Sequence, residues 1–412
     1  MRPRHPALAA LPVLASALLC CSACGASAAR PHRQGAAASS LPAAPAACAE
    51  TVASTLGVVA ARIYRQAAGG RDVAQAVHRL TNSATLSAAA RAGSASATRA
   101  ALNALLLGQI ARVEVLRGGR VLAAAGSGAA VAPVAGTLPG SAGARYVLSV
   151  QSDRTYTQVT SQVTGAQVLL LAGARRVAGT IALPASARVP ASGALTVDGR
   201  SYGVASLPAA AYPAGALRIA LLVPASELTC PANAAPTRAA VLGRVGERIY
   251  EAEQHSAVVA ATVRRMENTG AFRAAVERHD AQAARQAILG FFAAHIHVVR
   301  VRVLVRGRLL VDVGGPYALA PVTGTLRSGG RVLGSFVTAI QDDAGYLKLA
   351  RLFTGAQVLM RLGSKQIMGT LDPGPSKVPD DGTVAYRGHT YEAHSFTATA
   401  FPSGPLRISL LF

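Results

Sequence analysis

Two six-residue stretches gather the side chains best suited to hold a small ligand: QSDRTY at 151–156 and QDDAGY at 341–346. In each, an amide (Gln151, Gln341), a carboxylate (Asp153, Asp343) and a phenol (Tyr156, Tyr346) stand within six residues. Such a set can orient a small polar or cationic molecule. The favoured reading of Asp153 and Asp343 is that each caps a following helix, because a carboxylate accepts the unpaired N–H groups of a first turn. The two roles are compatible. Arg218 and Arg407 both lie in an LRI tripeptide, and strand alternation turns each away from its apolar neighbours. There they could clamp an anionic group, pair with an acid, or stand in solvent.

Catalysis has weaker candidates. No HExxH and no phosphate-binding P-loop occurs. His394 and Ser395 are adjacent, but neighbours on a strand point to opposite faces and do not make a dyad. His295 and His297 would share one strand face, yet Leu107 and Gln109 occupy those places in the other half and no third ligand is apparent. The expectation is no enzyme activity, no metal and no cofactor.

The elements around the two stretches repeat. LGVVAARIY (56–64) returns as LGRVGERIY (242–250), each opening a stripe of apolar residues in steps of three and four that predicts a long helix. A second helix is predicted over 95–107 and 281–293. The period then drops to two: RVEVLRGGRVLAAAG (112–126) and RVRVLVRGRLLVDVG (300–314) read as hairpins. YVLSVQSDRTY matches FVTAIQDDAGY, TGAQVLLLAG (164–173) matches TGAQVLMRLG (354–363), SYGVAS (201–206) matches TYEAHS (390–395), and YPAGALRIALL (212–222) matches FPSGPLRISLL (401–411). Ordered blocks at nearly constant offset mean internal duplication. The expected organisation is a signal peptide (1–23), a tether (24–48), a first domain (49–224), a linker (225–234) and a second domain (235–412).

The N-terminus reads as a secretory signal: MRPRHP, then the apolar ALAALPVLASALL, then a small-residue exit. Its end resembles a bacterial lipoprotein box with Cys24 as the lipidated residue, although Cys21 stands where an apolar residue is usual. Ordinary cleavage after Ala26-Ser27-Ala28 is the alternative. Either route exports the chain, as a lipid-anchored or a secreted protein. Cys48 and Cys230 alone remain for the folded part, and in an oxidising compartment the pair is expected to form a disulfide tying the two repeats together; two unrelated thiols are the other reading. The formal charge is +22, from 41 Lys+Arg against 19 Asp+Glu. The cations are scattered without interleaved aromatics, which argues against nucleic acid. Anionic lipid or cell-wall polymer is a better match to a basic exterior.

The hairpin VRVLVRGRLLVDVGG, the strand FVTAIQDD and the closing FPSGPLRISLL together resemble the extracytoplasmic Cache family of PAS-like sensory domains. The resemblance implies an α+β fold: two tandem PAS/Cache-like domains, each a long N-terminal helix plus a mostly antiparallel five- to six-stranded sheet. It places Gln151, Asp153, Tyr156, Gln341, Asp343 and Tyr346 along a pocket, with Arg218 and Arg407 nearby. It implies a small polar molecule or an envelope protein as partner. The Trp of amino-acid-binding members is missing. With the last strand expected to run to Phe412, no transmitter module is expected.

Overall fold

The computed structural model describes residues 46–106, 110–184, 186–227, 230, 234–293 and 298–412. Cys24, residues 24–45 of the expected tether, His295 and His297 lie outside them, and the last three tether positions, Ala46–Cys48, belong to the first helix. The first copy comprises helices α1 (Ala46–Gly69), α2 (Arg71–Thr81), α3 (Ala84–Ala92) and α4 (Ala95–Leu105), then β1 (Arg112–Arg117), β2 (Arg120–Gly126), β3 (Ala130–Val131), β4 (Val134–Thr137), β5 (Arg145–Ser149) and β6 (Gln151–Ser152). It continues through α5 (Asp153–Thr164), β7 (Gln167–Ala172), β8 (Arg175–Gly179), β9 (Ser192–Val197), β10 (Arg200–Tyr212) and β11 (Gly215–Pro224).

The second copy repeats this order. Its helices are α6 (Ala234–His255), α7 (Ala257–Asn268), α8 (Gly270–Glu277) and α9 (Ala281–Ala293), followed by β12 (Arg300–Val305), β13 (Arg308–Gly314), β14 (Ala318–Leu319), β15 (Val322–Ser328), β16 (Arg331–Ala339) and β17 (Gln341–Asp342). Then come α10 (Asp343–Thr354), β18 (Gln357–Leu362), β19 (Lys365–Gly369), β20 (Asp381–Tyr386), β21 (His389–Phe401) and β22 (Gly404–Leu411).

Why the helices start and stop is local chemistry. The predicted long helix divides at Gly69-Gly70, where Gly70 is extended (ψ 176°) and opens α2. Glycine costs a helix interior about 1 kcal/mol relative to alanine, so the pair is a natural break. Ser83 and Ser94 cap α3 and α4 by accepting from Leu86 N and Ala97 N. On α1 the stripe Leu56, Val59 and Ile63 is buried, as its spacing predicts.

The mixed helix and antiparallel-sheet architecture in two copies is the expected one, and the strands of each copy divide between two sheets. The smaller sheet of the first copy runs β2-β1-β5-β4; the larger runs β6-β3-β10-β11-β7-β8, with β9 also pairing β10. Both follow one rule: a hairpin, then a crossing that returns the last strand beside the hairpin's first. The second copy has the same orders, β13-β12-β16-β15 and β17-β14-β21-β22-β18-β19 with β20 on β21. The chain returns to the smaller sheet where β3 gives way to β4, and it leaves that sheet where β2 gives way to β3 and β5 to β6. Ala132 (φ 54°) and its counterpart Ala320 (φ 53°) make the return bend, and a following proline stiffens each.

Helices α2–α4 and α7–α9 cover the two smaller sheets with separate cores. The largest core joins the copies: Val52, Leu56, Val59 and Ile63 of α1 share it with Val245 and Ile249 of α6, Phe353 of α10 and Ile408 of β22. Cys48 and Cys230 form a disulfide with Cα atoms 5.9 Å apart, closing the start of α1 onto the segment before α6.

Candidate functional site

Each N-terminal helix lies beside the edge hairpin of its larger sheet, and a groove opens between them. The first, about 460 Å³, is lined by Glu50, Ser54, Gly57 and Val58 of α1 with Ser192 and Ala205 of the hairpin. The second, about 500 Å³, is lined by Pro236, Ala240 and Arg244 of α6, Asp381 of β20, and Glu392 and His394 of β21. Register puts Ala205 opposite Ser192 and His394 opposite Asp381. The two grooves are therefore the same place on the same frame.

Their chemistry differs. Arg244, Glu247, Asp381, Glu392 and His394 take the positions of Val58, Ala61, Ser192, Gly203 and Ala205. His394 is buried against α6, where Gly243 leaves room for the ring: a Cβ there would come within 2.2 Å of its Cδ2. Nδ1 lies 2.7 Å from Asp381 Oδ1. Nε2 faces Glu247 Oε1 at 3.5 Å, near enough for an ion pair, and has no closer hydrogen-bond partner among the described residues. Glu247 also holds the guanidinium of Arg244. The facing Glu247 carboxylate, with Asp381 behind it, raises the His394 pKa against the opposing effect of burial. Burial pushes Glu247 up, but His394 and Arg244 outweigh it and hold the carboxyl below its usual value.

The residues singled out from the sequence are not brought into one open pocket. Tyr346 is fully buried in the shared core and donates to Gly246 O (3.0 Å); Tyr156 likewise donates to Ala60 O (3.1 Å). Burial raises both phenol pKa values. Asp153 and Asp343 begin their helices and accept from Arg154 N and Ala344 N, while Ser152 and Asp342 one residue earlier do the capping. Asp343 is raised by burial. Arg218 donates to Val189 O and Pro190 O, and Arg407 to Val378 O while pairing with Asp380 at 2.6 Å. These arginines tie down the segment that crosses the larger sheet. Gln151 and Gln341 are buried at the change of sheet, and Gln151 Oε1 and both amide atoms of Gln341 have no hydrogen-bond partner among the described residues.

Sequence reasoning passed over Arg244, Glu247 and Asp381. The available signal was the contrast between copies, charged residues standing where the other repeat has small or apolar ones. Two further patterns resolve as structural. Gly199-Arg200-Ser201-Tyr202-Gly203 spells GxSxG, but Ser201 sits on the β9–β10 hairpin with its hydroxyl 3.3 Å from Thr196 Oγ1, and a nucleophile elbow needs a strand-to-helix turn. Ser395 Oγ faces Pro379 O and Ser409 Oγ, away from the imidazole. Arg300 and Arg302 share Asp312 (2.9 and 2.7 Å) over the ring of Phe401, a self-contained ion cluster.

The architecture is two tandem α+β units of the same strand order, each with helices packed on antiparallel sheets. No known family and no curated protein matches the sequence. Among solved structures, the periplasmic domain of Vibrio cholerae LuxQ is similar at 11% identity and a TM-score of 0.29, covering 42% of this chain and 99% of that one. An extracellular ligand binding receptor from Desulfohalobium retbaense is similar at 11% identity and 0.28, covering 53% of this chain and 47% of that one. Scores this low leave the function to the site itself.

Proposed function

We propose that this is an exported binding protein of the extracytoplasmic sensor type, which recognises a small polar molecule or an envelope protein at the charged groove of its second copy. The carrying observation is the cluster Arg244–Glu247–His394–Asp381, present on a frame whose first copy lacks it. A groove lined by the Asp381 and Glu392 carboxylates beside the His394 imidazole suits a ligand that carries a donor or a cation. Binding there bridges α6 and β20–β21, so it would bias the long helix relative to the sheet. The disulfide supports an oxidising compartment. Among the described residues no helix is long and apolar enough to cross a membrane, and attachment would rest on a lipid at Cys24.

A thermal-shift screen with amines, polyamines, organic acids, amino acids and nucleobases tests the reading. A shift that His394→Ala and Asp381→Asn abolish supports it. No shift in any class favours the second reading, an adaptor that works through its surface, for which the solid packing around Tyr346 speaks. Attachment has its own check: a Cys24→Ala chain should leave the membrane fraction.

A further inference from the structure

The smaller sheet of the second copy ends in two tight hairpins. Arg306-Gly307 (φ 50° and 75°) joins β12 to β13, and Gly329-Gly330 (φ 52° and 83°) joins β15 to β16. Two consecutive residues of positive φ make the turn type that matches strand twist, so the residues around it are held rigidly. Arg306, Arg308, Arg327 and Arg331 are all exposed at this end of the sheet. Arg331 pairs with Glu277 at 2.7 Å, whereas Arg306, Arg308 and Arg327 form no ion pair among the described residues.

Aliphatic side chains stand beside Arg327 on the outer face, whereas Arg308, paired with Val305, and Arg331 lie at the edge of the helix-covered face and Arg306 is in the turn. Leu309 is 59% exposed and Val332 54%. Cross-strand partners share a face, and Leu309 is paired with Leu304 and Val332 with Arg327. Both lie on the face opposite the one that packs on α7–α9, which carries Val303, Val305 and Leu326. In the first copy Val121, at the position of Leu309, is 51% exposed and follows the exposed Arg120.

We propose that this hairpin end docks on the surface of an anionic lipid bilayer. Guanidinium groups are drawn to anionic headgroups, each contributing about 1 kcal/mol near the surface, or roughly fivefold in binding. Leucine and valine beside them enter the boundary between headgroup and acyl chain, which a purely ionic polymer does not offer. Exposed aliphatics at the same hairpin end as unpaired arginines therefore favour a bilayer over a soluble polyanion. The proposal is independent of the groove.

The test is co-sedimentation of the full chain carrying Cys24→Ala, so that no acyl anchor contributes, with phosphatidylcholine vesicles with and without phosphatidylglycerol. Binding should require phosphatidylglycerol. Arg306→Glu/Arg308→Glu/Arg327→Glu should weaken it by about 100-fold or more, and Leu309→Ser/Val332→Ser by about tenfold. All five side chains are exposed, so folding is preserved. Reversal of three exposed arginines elsewhere, Arg175, Arg188 and Arg200, should change binding by less than about threefold on the same reasoning. Three results overturn the proposal: no binding to either vesicle; equal loss in the control, which assigns binding to overall basicity; or loss with the arginine variant and none with the serine variant, which assigns it to a polyanion.

Discussion

Arg62 of α1 donates to the carbonyl oxygen of Phe353 in the other copy at 3.0 Å, and Arg248 of α6 returns the contact to Thr164 O at 2.7 Å. Each guanidinium thus closes the C-terminal end of the other copy's short helix, α10 or α5. The helix then ends in Gly355 (φ 78°) or Gly165 (φ 71°), and a Cβ at either would come within 2.7 or 2.3 Å of the incoming guanidinium. In both copies the Thr-Gly that opens the repeated phrase TGAQVL is where the arginine of the other copy meets the helix end.

Arg62→Ala and Arg248→Ala should each cost about 1–2 kcal/mol, the worth of a partly buried cation on terminal helix carbonyls. Urea unfolding measures this, with Arg65→Ala, an exposed neighbour on α1, expected within about 0.5 kcal/mol of the parent. Equal effects for Arg62 and Arg65 would remove the inter-copy role.

The Cys48–Cys230 disulfide spans 182 residues. Chain-entropy reasoning gives such a closure up to about 5 kcal/mol. Reduction, or Cys48→Ser/Cys230→Ser, should therefore lower the melting temperature markedly. Thiol labelling of both cysteines in the unreduced protein would refute the bond.

His394 has its pKa raised by Glu247 and Asp381. A raised folded-state value means that the imidazolium stabilises fully below its unfolded value of about 6.5, and the contribution disappears as pH climbs through the folded value. Glu247, held low, contributes above its unfolded value near 4.5 and loses the effect in acid. The melting-temperature gap between parent and His394→Ala should be widest between these limits and close toward pH 9; a gap flat in pH would contradict the pairing.

Glu253 is buried on α6, its Oε2 has no hydrogen-bond partner among the described residues, and burial pushes its carboxyl up to about 7. Here the sign reverses: the unfolded chain ionises first, so stability falls as pH rises from about 4.5 to 7, by about 3 kcal/mol at most. Glu253→Gln should stabilise the protein at pH 8 and leave it unchanged at pH 4. Ala67 holds the same place in the first copy. A variant no more stable than the parent at pH 8 would show that the carboxylate has a partner or access to water.

Much of the fold was legible in local patterns. Steps of three and four marked α1 and α6, alternation marked the hairpins, and the repeated blocks declared the duplication, because helix and strand periods are properties of neighbouring residues. The cysteine pair was legible by elimination. Two sheets in place of one were not, since the return to the smaller sheet after β3 and β14 passes through a positive φ at Ala132 and Ala320, residues with no intrinsic preference for it. Nor was the groove. Tyr346 reads as a ligand-facing phenol until packing seals it in the shared core, and Asp381 and Glu247, 134 positions apart in the numbering, meet at His394 only after α6 lies down on β21. Local spacing specifies elements; which polar side chains end up partnered, buried or open is decided by contacts between elements distant in the chain.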